Sequence, residues 1–170
     1  TDRFVMVTTN CLTGKAEYLE EKSDSKRVMD IVRASSSLPY VTKITYVNGV
    51  PMLDGGIADS IPVEYAKSQG YERMVVILTR NKGYRKNEKQ LPVPKVIYRK
   101  YPELRKTLAS RNAQYNRTME MIERLEEEGS LTVIRPVHPI EVDRMEKDTD
   151  KLRALYQEGY ELAESFLASL

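Results

Sequence analysis

The sequence predicts an α/β fold with a layered, mainly parallel sheet flanked by helices. From about residue 62 onward, stretches with helical apolar spacing alternate with short apolar runs, an order typical of parallel strands joined by right-handed crossovers. The composition is that of a globular protein, with 41% hydrophobic and 31% charged residues. This disfavours the collagen-like, disordered and coiled-coil classes. A length of 170 residues fits a single domain.

The first strand and helix are indicated by local patterns. Residues 4–9 form an apolar, β-branched run, and the turn-forming segment after them leads to a second strand at about Ala16–Leu19, so the pair predicts a hairpin. Ser25 is the predicted N-cap of a helix that ends near Ser36.

A second hairpin is predicted around Asn48–Gly49. This dipeptide separates the apolar segments Ile44–Val47 and Val50–Leu53. Both central residues of a type I′ turn need a positive φ, which Asn and Gly tolerate best.

The remainder of the chain predicts three helices and two strands. In order they are a helix over Pro62–Gln69 with Gly70 as C-cap, a buried strand Met74–Leu78, a helix over about Pro102–Glu128 closed by Gly129, a strand Leu131–Val137, and a helix over about Asp148–Leu167. The inward stripe of the last helix is predicted to contain Leu152, Leu155, Tyr156, Tyr160, Ala163 and Phe166.

Basic residues are concentrated in residues 80–117, called the basic segment below. It holds 12 Lys or Arg and 2 Glu, whereas the whole chain has a net charge of +2. Such a segment attracts anions, or it is a solvated surface offset by the acidic residues that follow. Four tyrosines interleave with these cations, but the sequence contains no recognisable nucleic-acid-binding module, so a nucleic-acid partner is disfavoured.

Metal and thiol chemistry are disfavoured. One cysteine, Cys11, and one histidine, His138, exclude an internal disulfide and a Cys/His zinc site and indicate a reducing, cytoplasmic compartment. No cofactor is predicted. Asp54 and Asp59 together supply too few oxygen ligands for calcium, and nothing cationic near Cys11 in the sequence would lower the pKa of its thiol.

Asp54 is the leading candidate for chemistry. It ends a predicted strand and is followed by Gly55 and Gly56, which would let a substrate or loop approach the backbone closely. A carboxylate there can orient or deprotonate a nucleophile. The alternative is an ordinary Asp-Gly turn.

Two stretches around this aspartate resemble the patatin-like phospholipase family. The first, RASSSLPY at Arg33–Tyr40, matches the family pattern at Ala34, Ser35, Ser37, Pro39 and Tyr40; the second, LDGGIADSIP at Leu53–Pro62, contains the Asp-Gly-Gly motif. The runs Arg111–Asn116 and Val133–Pro136 resemble a bacterial branch of the family. The resemblance extends from Phe4 to about Phe166.

The resemblance implies that Asp54 is the base of a Ser–Asp dyad that cleaves phospholipids or related acyl esters without a catalytic histidine, so His138 is expected to be structural. The family's Gly-x-Ser-x-Gly nucleophile elbow and glycine-rich oxyanion hole do not occur in this sequence. None of Ser35, Ser36, Ser37 and Ser60 lies in such an elbow.

We therefore expect residues 1–170 to be a single partial domain, the C-terminal part of a larger hydrolase domain, inactive without its missing N-terminal half. An uncovered sheet edge would favour a homo-oligomer, and the basic segment would favour peripheral contact with an anionic membrane. The alternative is a non-catalytic binding or regulatory domain whose basic segment contacts anionic lipid or nucleic acid.

Overall fold

A computed structural model describes residues 2–89, 93–94, 96–143 and 146–168. The chain divides into two compact units, each made of two stretches of sequence. Unit 1 comprises Thr1–Pro62 and Lys86–Thr118, and unit 2 comprises Val63–Arg85 and Met119–Leu170. The single partial domain over residues 1–170 stays a prediction.

Unit 1 contains a four-stranded antiparallel sheet. Its strands are β1 (Val5–Asn10), β2 (Ala16–Glu20), β3 (Thr45–Val47) and β4 (Val50–Asp54), in the order β2-β1-β4-β3. Both predicted hairpins are confirmed, since β1 pairs with β2 and β3 pairs with β4. Asn48 and Gly49 have φ values of 52° and 75°, as a type I′ turn requires.

Helix α1 (Ser25–Ser35) contributes to the first core of unit 1. Its buried residues Ile31 and Ala34 cluster with Met6, Val47 and Met52 of the sheet. The predicted N-cap was wrong by one residue: the Asp24 side chain accepts the hydrogen bond from the Arg27 amide at 3.1 Å. A carboxylate at this position is also stabilised by the positive end of the helix dipole.

A second buried cluster of unit 1 lies behind the end of β4. It joins Cys11, Leu53 and Ile57 to Leu104, which belongs to helix α3 (Pro102–Glu127). The first part of α3, up to Thr118, is in unit 1. The end of β4 is therefore anchored in a packed core.

Unit 2 contains the parallel pairing. Its further elements are α2 (Val63–Ser68), β5 (Met74–Ile77), β6 (Leu131–Ile134) and α4 (Thr149–Leu167). Strands β5 and β6 pair in parallel, with Met74 opposite Leu131 and Ile77 opposite Ile134. The predicted helices and strands are confirmed with shifts of a few residues at their ends. Gly70 and Gly129 follow their helices with φ values of 84° and 70°.

The mixed α/β class is confirmed, but a mainly parallel sheet is not. All three pairings of the four-stranded sheet are antiparallel, and β5–β6 is the only parallel pairing in the described part of the chain. Short turns join β1 to β2 and β3 to β4, and a turn of that length permits only antiparallel pairing.

Two burial predictions in unit 2 were wrong. Val75 and Ile77 of β5, predicted to be buried, are 52% and 75% exposed. No residue of α4 is buried, and the predicted inward residues Tyr156 and Tyr160 are 69% and 50% exposed. Periodicity gives the relative directions of side chains, but not whether another surface covers them.

None of the helices in the described residues has the length and apolar content needed to cross a membrane.

Candidate active site

Asp54 is the last residue of β4, and hydrogen bonds fix its main chain on both sides. Its amide donates to the carbonyl oxygen of Ser37 at 2.9 Å. Its carbonyl oxygen accepts from the Thr9 hydroxyl at 2.8 Å, and the same hydroxyl accepts from the Ala58 amide at 3.2 Å. Strand β1 and the segment that follows α1 thus hold the turn after β4.

One oxygen of the Asp54 carboxylate is bound within this turn. Oδ1 accepts a 2.7 Å hydrogen bond from the Gly56 amide and thereby caps the short 3₁₀ turn Gly55–Ile57. No donor from the described residues is bonded to Oδ2. The carboxyl group is partly exposed. One oxygen therefore orients the group, and the other can accept a proton.

The space around the motif requires a glycine at position 55 and is tight at position 56. A Cβ on Gly55 would lie 2.3 Å from the carbonyl oxygen of Val7 in β1. A Cβ on Gly56 would lie 3.0 Å from Oδ1 of Asp54. Neither glycine has a positive φ, so the motif is needed for close approach and not for a left-handed backbone.

Side chains of α3 and of Ser60 hold the carbonyl oxygens of the turn. The oxygen of Gly56 accepts from Arg111 Nε and from the Ser60 hydroxyl, each at 2.8 Å. The amide of Gln114 donates to the carbonyl oxygen of Ala58. Arg111 and Gln114 lie in the run Arg111–Asn116 of α3, whose pattern was noted in the sequence but whose contact with the Asp-Gly-Gly turn was missed.

The same run also forms hydrogen bonds to residues 86–88, at the other end of the basic segment. The Asn116 side chain accepts from the Lys86 amide at 2.8 Å and donates to the Lys86 carbonyl oxygen at 2.9 Å. It also donates to Glu88 Oε1 at 2.7 Å. Asn112 donates to the carbonyl oxygen of Asn87 at 2.7 Å. The ammonium group of Lys86 lies 3.8 Å from the centre of the Tyr115 ring. Arg111–Asn116 therefore positions residues 86–88 as well as the turn.

The candidate serines of residues 35–37 form no hydrogen bond to the Asp54 carboxylate in the described part of the chain. Ser37 is buried, donates to the carbonyl oxygen of Arg33 and lies 2.9 Å from the Thr45 hydroxyl. Ser36 donates to the carbonyl oxygen of Val32, and Ser35 is in α1. None of these contacts places a hydroxyl on the Asp54 carboxylate.

The other candidates are separate from Asp54. Asp59 Oδ2 accepts from the Tyr18 hydroxyl at 2.6 Å, and the described residues contain no group of three or more potential metal ligands. Cys11 is fully buried, and burial raises the pKa of its thiol to about 12. His138 is exposed in the segment after β6.

The two ends of the chain match different family models. Residues 3–67 match the model described as patatin-like phospholipase. The predicted resemblance is confirmed for these residues. The match includes Arg33–Tyr40 and Asp54, Gly55 and Gly56. It is shorter than the predicted extent from Phe4 to about Phe166, since it ends at residue 67. Residues 101–170, with Arg111–Asn116, match a model described as a domain of unknown function, DUF6363.

A relative in Escherichia coli (strain K12) shares part of this sequence. The protein, described as uncharacterized protein YjjU, is 44% identical over 52 residues. The match covers 30% of this chain and 15% of the relative.

Proposed function

We propose that Asp54 is the general base of a Ser–Asp acyl hydrolase that acts on phospholipids or related acyl esters. The proposal rests mainly on one observation: the Asp54 carboxylate is fixed through Oδ1 by the Gly56 amide, while Oδ2 has no donor among the described residues. The patatin-like match over residues 3–67 includes this turn. The nucleophilic serine and the oxyanion hole would come from a part of the protein outside these 170 residues.

The proposed reaction has two steps. Oδ2 of Asp54 takes the serine proton as the serine oxygen attacks the ester carbonyl carbon, and the proton then passes to the leaving alcohol as the ester C–O bond breaks. Asp54 then deprotonates a water that attacks the acyl-enzyme, and it returns this proton to the serine oxygen as the acyl–serine C–O bond breaks and the acid leaves. A fixed carboxylate favours both steps because little orientational freedom remains to be lost.

The test is kcat/KM of the full-length protein on a short-chain acyl ester. Asp54→Asn keeps the side-chain size and an oxygen that can accept from the Gly56 amide, but it removes the base. We expect a loss of about 10² to 10⁴ with an unchanged melting temperature. Asp59→Asn is the matched control and should retain activity, since Asp59 bonds to Tyr18. An unchanged rate in folded Asp54→Asn would refute the dyad.

A second candidate function is binding to an anionic membrane through the basic segment. Arg99 and Lys100 are exposed and form no ion pair with another described residue, and the neighbouring Val96 is 83% exposed. Exposed cations beside an exposed apolar side chain suit the headgroup region of a bilayer. Lys95, also counted in the basic segment, lies outside the described residues.

Vesicle sedimentation tests this candidate. We expect binding to vesicles that contain anionic lipid, with affinity falling between about 0.05 and 0.3 M salt because exposed charges are screened. Arg99→Glu with Lys100→Glu should abolish binding, whereas Lys22→Glu with Lys26→Glu, the same charge change elsewhere, should have less effect. Equal binding to neutral vesicles would contradict the proposal.

A further inference from the structure

A pocket of about 170 Å³ lies in unit 1 beside the Asp-Gly-Gly turn. Arg111 belongs to both features: it lines the pocket, and its Nε donates to the carbonyl oxygen of Gly56. Its Nη2 would be 3.8 Å from a Cβ placed on Gly56. The apolar part of the lining includes Pro39, Val93 and Leu108. A ligand in this pocket would therefore meet both an apolar wall and a cation next to the candidate base.

The guanidinium of Arg111 retains donors for a ligand. Nε is used by Gly56, but Nη1 and Nη2 have no hydrogen-bond partner among the described residues, and no described carboxylate forms an ion pair with Arg111. Neither nitrogen is a buried atom lacking a partner. A fixed guanidinium with two accessible terminal nitrogens is suited to the paired oxygens of a phosphate.

Tyr40 also lines this pocket. Burial and the neighbouring Tyr98 raise the pKa of Tyr40, and the charge of Arg111 partly opposes this, as expected for a phenol near the guanidinium. The Tyr40 backbone is held by a 2.9 Å hydrogen bond from its amide to the Tyr98 hydroxyl. A neutral Tyr40 hydroxyl can donate to an anion.

The described residues that line the pocket have a net charge of +1. Arg111 and Lys89 are cationic, and Glu88 is anionic. Oε1 of Glu88 accepts from Asn116 Nδ2, which holds this carboxylate toward α3. The amide of Asn112, bonded to the carbonyl oxygen of Asn87, fixes the loop that bears Lys89. One net positive charge complements a monoanion better than a dianion.

We propose that this pocket binds the phosphodiester group of a phospholipid, with Arg111 as the main ligand and Lys89 and Tyr40 in support. The inference deepens the proposed acyl hydrolase and rests on it, because the pocket would hold the phosphate of the substrate beside Asp54. Arg111 would then have two roles, since it positions the Asp-Gly-Gly turn and recognises the lipid phosphate.

The test is a titration of the whole chain with monomeric dihexanoyl phosphatidylglycerol. Dihexanoylglycerol has the same acyl chains without the phosphate, and inorganic phosphate lacks the chains. We expect the phospholipid to bind at least about tenfold more tightly than either comparison ligand, since it alone can use both the charged groups and the apolar wall.

The variants separate recognition from folding. Lys89→Gln should weaken phospholipid binding by about two- to fivefold, because Lys89 is exposed and makes a screened contact. Lys100→Gln removes the same charge from the same segment, but Lys100 does not line the pocket, so its affinity should not change. Arg111→Lys, which keeps the charge and loses the planar donors, should weaken binding about tenfold or more.

Three results would overturn the proposal. They are equal affinity for dihexanoylglycerol and the phospholipid, equal effects of Lys89→Gln and Lys100→Gln, and inorganic phosphate binding as tightly as the phospholipid, which would indicate a free-phosphate site. The titration involves no turnover, so it is independent of the dyad. Failure of the pocket would leave the kcat/KM loss in Asp54→Asn intact, and failure of the dyad would leave phospholipid binding intact.

Discussion

The hydroxyl of Thr9 donates a 2.8 Å hydrogen bond to the carbonyl oxygen of Asp54. Thr9 is fully buried in β1, and its hydroxyl also accepts from the Ala58 amide. A single oxygen atom therefore satisfies the backbone on both sides of the 3₁₀ turn that contains the two glycines. The orientation of Asp54 depends on this residue as well as on its own sequence neighbours.

Thr9→Val should destabilise unit 1. Valine keeps the shape of threonine but leaves the Asp54 carbonyl without this donor, at a cost of about 1–3 kcal/mol, whereas the Ala58 amide keeps its hydrogen bond to the Gly55 carbonyl oxygen at 3.1 Å. Urea unfolding measures the change. Thr8→Val is the control, because Thr8 is equally buried but, within the described part of the chain, its hydroxyl is hydrogen-bonded only to the Met52 sulfur, at 3.6 Å. A larger loss in Thr8→Val would contradict this account.

Gly55→Ala should destabilise the protein by about 1–3 kcal/mol or more, because its Cβ would overlap the Val7 carbonyl oxygen, a backbone atom that cannot rotate away. Gly159→Ala in α4 meets no atom within 4 Å and should stabilise the helix by up to about 1 kcal/mol. Thermal unfolding of the two variants compares these effects. Equal melting temperatures would show that β1 does not constrain the Asp-Gly-Gly turn.

Cys11 should react slowly with thiol reagents in the folded protein. With a pKa of about 12, its thiolate fraction at pH 8 is roughly 10³-fold below that of a free cysteine, and the side chain is inaccessible. Labelling by a disulfide reagent at pH 8, with and without urea, measures the difference. Equal rates in both conditions would refute the burial of Cys11.

The burial of Cys11 also predicts a loss of stability at high pH. The folded state favours the protonated thiol, so this contribution is complete below the ordinary pKa near 9 and is lost as the pH rises toward about 12. The free energy of unfolding should therefore fall less steeply over this range in Cys11→Ala than in the parent chain. Parallel curves would count against the prediction.

Glu123 should make unit 2 acid-sensitive. Hydrogen bonds from Arg85, the closest at 2.6 Å, and from the Gly83 amide hold the pKa of Glu123 below its usual value. A lowered pKa stabilises the fold above about pH 4.5, and this contribution is lost as the pH falls. Glu123→Gln should lose less stability than the parent between pH 6 and 3. Glu120→Gln, at an exposed position of α3, should behave as the parent.

Turn and capping residues correctly predicted those helices and strands whose formation depends on a few neighbouring residues. Asn48–Gly49 specified the second hairpin, because the backbone conformation of two adjacent residues sets the strand pairing. The place of Asp54 at the end of β4 followed directly from that hairpin. The error at the α1 N-cap is also local and amounts to one residue, Asp24 in place of Ser25. Both residue types cap helices well, so the sequence did not distinguish them.

Contacts between distant residues could not be predicted in this way. The bond from Arg111 to Gly56 spans 55 positions, and nothing in the spacing of either motif identifies the other. The exposure of Tyr156 on α4 has the same origin, because a helical stripe does not specify what lies against it. The pairing of β1 with β4, which places the turn against Val7, likewise depends on a sheet order that the alternation of elements did not indicate.

The side chains of Arg111, Asn112 and Gln114 all bond to carbonyl oxygens of the main chain, at Gly56, Asn87 and Ala58. Every residue type has such an oxygen, so these contacts do not depend on which side chain stands at Ala58 or Asn87. The exposed position 87 can therefore be substituted without loss of the Asn112 hydrogen bond, while the short stretch of helix must keep its polar residues. For mutagenesis, position 87 is the one to vary, and the helix and the Asp-Gly-Gly turn form the framework to leave unchanged.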